Sequence, residues 1–127
     1  MSVPFNATQG LIIVPVELEG PTGTAVLRLA LDTGATSTLI NLGPLVAVGY
    51  DPALVSTRLQ ITTGSGVEYV PQLVVSKLSA LQQTRLQFTV LGHTLPPSAG
   101  IDGVLGLDFM RGQLLSVDFR QGQISLS

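Results

Sequence analysis

Asp32 is the residue of this chain best placed to do chemistry. It stands in the run Leu29-Ala30-Leu31-Asp32-Thr33-Gly34-Ala35-Thr36-Ser37-Thr38-Leu39-Ile40, one carboxylate between two apolar, strand-like segments. A charge in such a setting is costly unless it is paired or hydrogen-bonded. Taken alone, Asp-Thr-Gly also suits a strand-ending turn in which the acid bonds its own backbone. The chemistry open to a carboxylate placed this way is hydrolysis by an acid pair. Two carboxylates close enough to share a proton cannot both ionise easily, so one stays protonated while the other is charged. The charged acid takes a proton from water and the neutral one donates to the substrate carbonyl. Such a pair titrates as a unit.

The other reactive residue types are too sparse to compete. His93 is the only histidine and no nucleophile-elbow sequence accompanies it, so a serine-type triad is not expected and His93 is read as a solvated loop residue. With one histidine and no cysteine, no metal site is expected, nor any disulfide or thiol chemistry. Gly64-Ser65-Gly66 lacks the lysine and the helix of a phosphate loop. Asp102-Gly103 reads as a turn and Asp108 as the start of a short helix, neither taking part in catalysis. Phe5, Phe88, Phe109 and Phe119 read as core.

The elements that must position Asp32 are strands. Fourteen glycines and eight prolines punctuate short runs rich in Val, Ile, Leu and Thr. Leu11 to Glu19 and Ala25 to Leu31 read as two strands around the Gly20-Pro21-Thr22-Gly23 turn, the second delivering Asp32 at its end. Extended structure resumes at Thr38-Leu39-Ile40. Leu42 to Leu54 is mixed, with room for a short helix. Thr57 to Thr63 and Val67 to Ser76 read as two arms of a hairpin turning at Gly64-Ser65-Gly66. Lys77 to Gln83 reads as a connection with room for more strand, and Arg85 to Leu91 as a strand with Leu86, Phe88 and Val90 on one face. His93 to Gly100 reads as loop. Val104 begins a strand, Leu107 to Arg111 a short helix that Gly112 stops, and Leu114 to Phe119 with Gln123 to Leu126 a closing hairpin.

At 127 residues one domain, 1–127, is expected. The chain is 45% apolar and only 11% charged, against about 25% charged in an average globular chain. Part of its apolar surface is therefore expected in a subunit interface or a substrate groove. The net charge is -2 and the six basic residues are scattered, which argues against nucleic-acid binding. No apolar run approaches the roughly 18 residues that span a membrane, and the N-terminus has no signal-peptide core. The compartment stays undecided, and a piece of a longer or membrane-anchored protein remains open.

These residues together resemble the single-lobed, retroviral-type (retropepsin-like) aspartic proteases, including bacterial and gag-polyprotein-type members. The resemblance is carried by Asp32-Thr33-Gly34 with Ala35 after it, by Val104-Leu105-Gly106 as the apolar segment behind that loop, by Leu107 to Met110 as the helix that follows, and by Thr57 to Ser76 as the flap. It implies an all-β, single-lobed acid-protease barrel with a flap hairpin and one short helix. It also implies an aspartic endopeptidase with no cofactor, acting on peptide or protein substrates. With one Asp-Thr-Gly in a chain too short for two lobes, a homodimer must supply Asp32 twice. The resemblance assigns the catalytic site to Asp32, Thr33 and Gly34: Thr33 braces the paired loops and the Gly34 N–H reaches the carboxylate. Substrate contacts are expected from Ala35, Thr63, Gly64, Ser65, Gly66 and Val104, with the flap pairing to an extended peptide and excluding water. Where many viral members carry an arginine that ties the dimer together, this chain has Leu107, so its dimer contacts are expected to differ. The competing expectation is a non-catalytic peptide-binding or dimerisation module of the same fold.

Overall fold

A computed structural model describes residues 2–64 and 66–127, with Thr63 described by its backbone alone. Ten strands and two short helices follow in order: β1 (Val3–Pro4), β2 (Ile13–Gly20), β3 (Gly23–Leu31), β4 (Leu39–Asn41), α1 (Leu42–Ala47), β5 (Arg58–Thr63), β6 (Gly66–Ala80), β7 (Gln83–His93), β8 (Gly103–Leu105), α2 (Leu107–Met110), β9 (Leu115–Asp118) and β10 (Gln123–Leu126). Single 3-10 turns lie at Pro52–Leu54 and Pro97–Ala99. The fold is thus mostly β, with two short helices: α2 where the sequence predicts one, and α1 in the mixed stretch that leaves room for another. Among the described residues no helix is long and apolar enough to cross a membrane.

Six strands close a barrel in the order β2-β3-β8-β4-β7-β6, with β6 returning to β2. Its sheet is mixed: β3 runs parallel to β8, β8 antiparallel to β4, and β4 parallel to β7. Alternation along β2 and β3 sends Val14, Val16, Leu18, Leu27 and Leu29 inward, where they join Ile40, Leu45, Leu78, Leu105 and Phe109 in one core. A side chain of this size contributes about 1.5–3 kcal/mol when fully buried. The hairpin arm, β5 with residues 66–71 of β6, projects from this barrel. A separate three-stranded sheet, β1-β10-β9, brings the two ends of the chain together. The two-residue strand β1 carried too little pattern to be foreseen.

Three sequence expectations are refined here. Lys77 to Gln83 is more strand than connection: β6 runs unbroken to Ala80, and a two-residue turn, Leu81-Gln82, leads into β7. Both turn residues have positive φ, 52° and 61°, the conformation of a tight hairpin turn that Asn and Gly usually occupy. Leu86, Phe88 and Val90 do not share a face. Gln87 sits at φ 49° and interrupts the β6–β7 partner pairs opposite Ser76, so Leu86 turns out to solvent at 71% exposure while Phe88 and Val90 face inward. Freed from the ladder, the Ser76 N–H donates to the Tyr50 hydroxyl at 2.8 Å, which in turn donates to the Glu19 carbonyl at 2.7 Å. Finally, Phe119 is not core. It is largely exposed and meets only the edge of Phe5, whereas Phe109 is fully buried against Phe88.

Candidate active site

Asp32 follows the last residue of β3 and is fixed by its own backbone. Its N–H donates to the Leu105 carbonyl at 3.0 Å, and its carbonyl accepts from the Ala35 N–H at 3.2 Å. Its carboxylate Oδ1 accepts the Gly34 N–H at 2.8 Å. A Cβ on residue 34 would come within 3.1 Å of that same oxygen, so the close approach suits glycine. Asp32, Thr33 and Gly34 are all exposed in the single chain. The acid therefore does not carry the burial that its apolar flanks suggested; those flanks are buried, and the loop between them stands out of the barrel. The Thr33 hydroxyl finds no partner among the described residues.

The loop is held from behind by the Val104-Leu105-Gly106 segment. Besides the Leu105 bond, the Leu107 N–H donates to the Ala35 carbonyl at 2.8 Å and the Gly106 N–H to the Thr38 hydroxyl at 3.1 Å. Gly106 packs against Ser37 and Ala35 so tightly that a Cβ would lie 2.7–2.9 Å from their backbone. Asp108 is not merely the start of a helix. Its carboxylate accepts the Thr38 N–H at 3.0 and 2.9 Å and the Thr38 hydroxyl at 2.7 Å. Asp102 is likewise more than a turn residue, since its carboxylate accepts the Arg28 N–H at 2.8 Å and ties β3 to the start of β8. Both acids are thus committed to backbone donors away from Asp32. Sequence reading missed these two roles because each partner is about seventy residues distant; the one available signal was an acid beside the glycine of a short apolar segment.

Beside Asp32 lies an open cavity of about 430 Å³. Gly34, Ala35, Thr36, Ser37 and Leu39 form one wall, Leu59 to Thr62 of β5 the other, and Leu91 the floor. Among the described residues no charged side chain lines it. Of the residues expected to contact substrate, Ala35 lines this cavity. Gly64 and Gly66 lie exposed at the end of the hairpin arm, outside that lining, and Val104 lies in β8 between Ala30 and Leu39. Ser65 and the Thr63 side chain fall outside the described residues. His93 is not a loop residue: it ends β7, half-buried, with Nε2 3.6 Å from Glu68 Oε2. No group of three potential metal ligands gathers anywhere among the described residues.

A one-lobed mixed barrel with an Asp-Thr-Gly loop backed by a glycine-ended strand, and a hairpin arm walling the cavity beside it, defines the retropepsin-like class. The crystal structure of a retropepsin-like aspartic protease from Rickettsia conorii superposes with a TM-score of 0.74, covering 99% of this chain and 88% of that one at 11% identity. Likeness at that identity concerns the fold. Residues 14–109 match the sequence profile of the aspartyl protease family, and the chain belongs to that family. No curated protein matches it in sequence.

Proposed function

We propose that the protein is an aspartic endopeptidase that works as a homodimer, with one Asp32 from each subunit forming the acid pair. The observation that carries this reading is the setting of Asp32: an exposed carboxylate, oriented by the Gly34 N–H, beside an open cavity lined by uncharged polar and apolar residues. Two further features support it. Asp102 and Asp108, the acids of the neighbouring β8 and α2 segments, already serve other donors. The Thr33 hydroxyl is exposed and unengaged, free to meet its copy across a two-fold axis.

In the assembled pair one Asp32 is charged and the other holds the shared proton. The charged carboxylate removes a proton from the attacking water, and the neutral one protonates the substrate carbonyl oxygen. Collapse of the resulting tetrahedral species returns a proton to the leaving amine. Gly34 keeps its carboxylate from turning away, and Leu59 and Ile61 of β5 offer apolar contacts for side chains beside the cleaved bond.

The test is cleavage of an unfolded protein between about pH 3 and 7 by wild type and Asp32→Asn. Loss of cleavage in a variant that remains dimeric by sedimentation supports the pair. Equal cleavage by both proteins refutes it. A folded, dimeric wild type with no cleavage of any unfolded substrate points instead to a peptide-binding module.

A further inference from the structure

One ion pair among the described residues, between Glu68 and His93, joins the hairpin arm to the barrel. Glu68 lies in the part of β6 that pairs only with β5, opposite Ile61. His93 ends β7, beyond the last β6–β7 partner pair, Gln72 with Leu91. The side chains are 29% and 45% exposed for His93 and Glu68. Leu91, two residues back along β7, lines the cavity beneath the arm, so the contact stands next to that cavity.

We propose that Glu68 and His93 form a proton-operated latch: a protonated His93 holds the β5–β6 arm against the barrel beside the cavity, and a neutral His93 lets it go. At 3.6 Å the contact is longer than a hydrogen bond, so its attraction is Coulombic and depends on the imidazole carrying charge. Imidazoles gain that charge as pH falls through the range from about 8 to 5, where carboxylates are still ionised. The arm is also the part of the molecule on which a weak contact weighs most. Residues 58–60, 62, 64 and 66–69 are exposed, and segments with few buried contacts open at low free energy.

The surroundings leave the pair without competitors. No second Asp or Glu reaches His93, and no Lys or Arg reaches Glu68, among the described residues. Asn41, the partner of His93 on β4, is neutral, and its amide oxygen accepts the Leu95 N–H. Asp102, whose carbonyl accepts the Asn41 N–H, has its carboxylate on the Arg28 N–H. On the arm itself, Tyr69 donates to Gln60 and carries no charge to the site. That the latch governs access to substrate rests on the peptidase reading above; the latch itself does not.

Amide hydrogen exchange of residues 58–71, corrected for the intrinsic pH dependence of exchange, tests it in the full chain. Wild type, Glu68→Gln and His93→Gln are compared between pH 8 and 5.5, with the barrel core as the control for folding. Protection of the arm in wild type rises about 1.5- to 5-fold on acidification, the range expected of a half-exposed pair, and both variants lose that rise. A flat wild-type profile, or the same rise in the variants, overturns the latch. Where cleavage is measurable, Glu68→Gln raises KM by a similar factor at pH 5.5 and not at pH 8; KM unchanged at both overturns its control of access. Absence of cleavage with the exchange pattern intact removes the peptidase reading and leaves the latch standing.

Discussion

Thr38 and Asp108, seventy residues apart in sequence, hold each other by three hydrogen bonds: both Asp108 oxygens accept the Thr38 N–H, and Oδ1 also accepts its hydroxyl. Thr38 is the one fully buried polar side chain among the described residues, and its hydroxyl oxygen still accepts from the Gly106 N–H. The far end of the Asp32 loop is therefore tied to α2 by a satisfied, charge-assisted network. Such bonds are worth more than neutral ones, and breaking one side leaves the other stranded out of water.

Asp108→Ala strands both a buried N–H and a buried hydroxyl. Its stability is expected to fall by about 2–4 kcal/mol, read from urea or thermal denaturation. Thr38→Val keeps the N–H partner but leaves the Gly106 N–H without its acceptor, and a smaller loss of about 1–2 kcal/mol is expected. A loss in Thr38→Val as large as that in Asp108→Ala would show that the hydroxyl, through Gly106, matters as much as the carboxylate.

Two glycines make a paired test of backbone crowding. At Gly103 an added Cβ would overlap the Leu39 carbonyl oxygen, where β8 meets β4. Gly103→Ala is expected to cost more than about 3 kcal/mol or to prevent folding. At Gly43, in the first turn of α1, an added Cβ meets nothing within 4 Å beyond its chain neighbours. Gly43→Ala is expected to change stability by less than about 0.5 kcal/mol, because the gain in helix propensity is offset by crowding of the new Cβ against the ring of Pro44.

The Leu81-Gln82 turn holds two non-glycine residues at positive φ. Gln82→Gly removes that strain on an exposed position and is expected to raise stability by about 0.5–1 kcal/mol. The same denaturation measurements read it, and a loss of stability would mean that the Gln82 side chain contributes more than its backbone costs.

If the acid pair is shared between subunits, mixing should be non-linear. In an equal mixture of wild-type and Asp32→Asn chains, allowed to exchange subunits, random pairing leaves about one quarter of the dimers with both acids. Cleavage per total chain is therefore expected near a quarter of the wild-type rate. A value near one half would mean that each chain acts alone.

The strands that alternate cleanly could be read from residue order. Val14, Val16 and Leu18 on β2, and Leu27 and Leu29 on β3, announce their inward faces because a period of two survives wherever φ and ψ stay extended. The hairpin arm and the closing β9–β10 pair were marked by glycine-containing turns. Where the backbone leaves the regular regions without a glycine to announce it, the pattern misleads. Gln87 is the example: one residue at φ 49° reverses the facing of Leu86. The site divides in the same way. Asp32, Gly34 and Ala35 are local in sequence and were legible together. The clamp of Asp108 on Thr38, the hold of Asp102 on Arg28 and the reach of Glu68 to His93 were not.

Sequence alone determined which residue is the candidate for chemistry: a lone acid before a small hydroxyl residue and a glycine, between strand-like apolar runs. It did so because side-chain type and short-range backbone freedom act over a few residues. Only the tertiary structure decided how that acid is presented. It stands exposed and turned by Gly34, on a loop gripped from behind by residues seventy positions later. Those partners meet only when the parallel pairing of β3 with β8 closes the barrel, and no local pattern encodes a contact made across that distance.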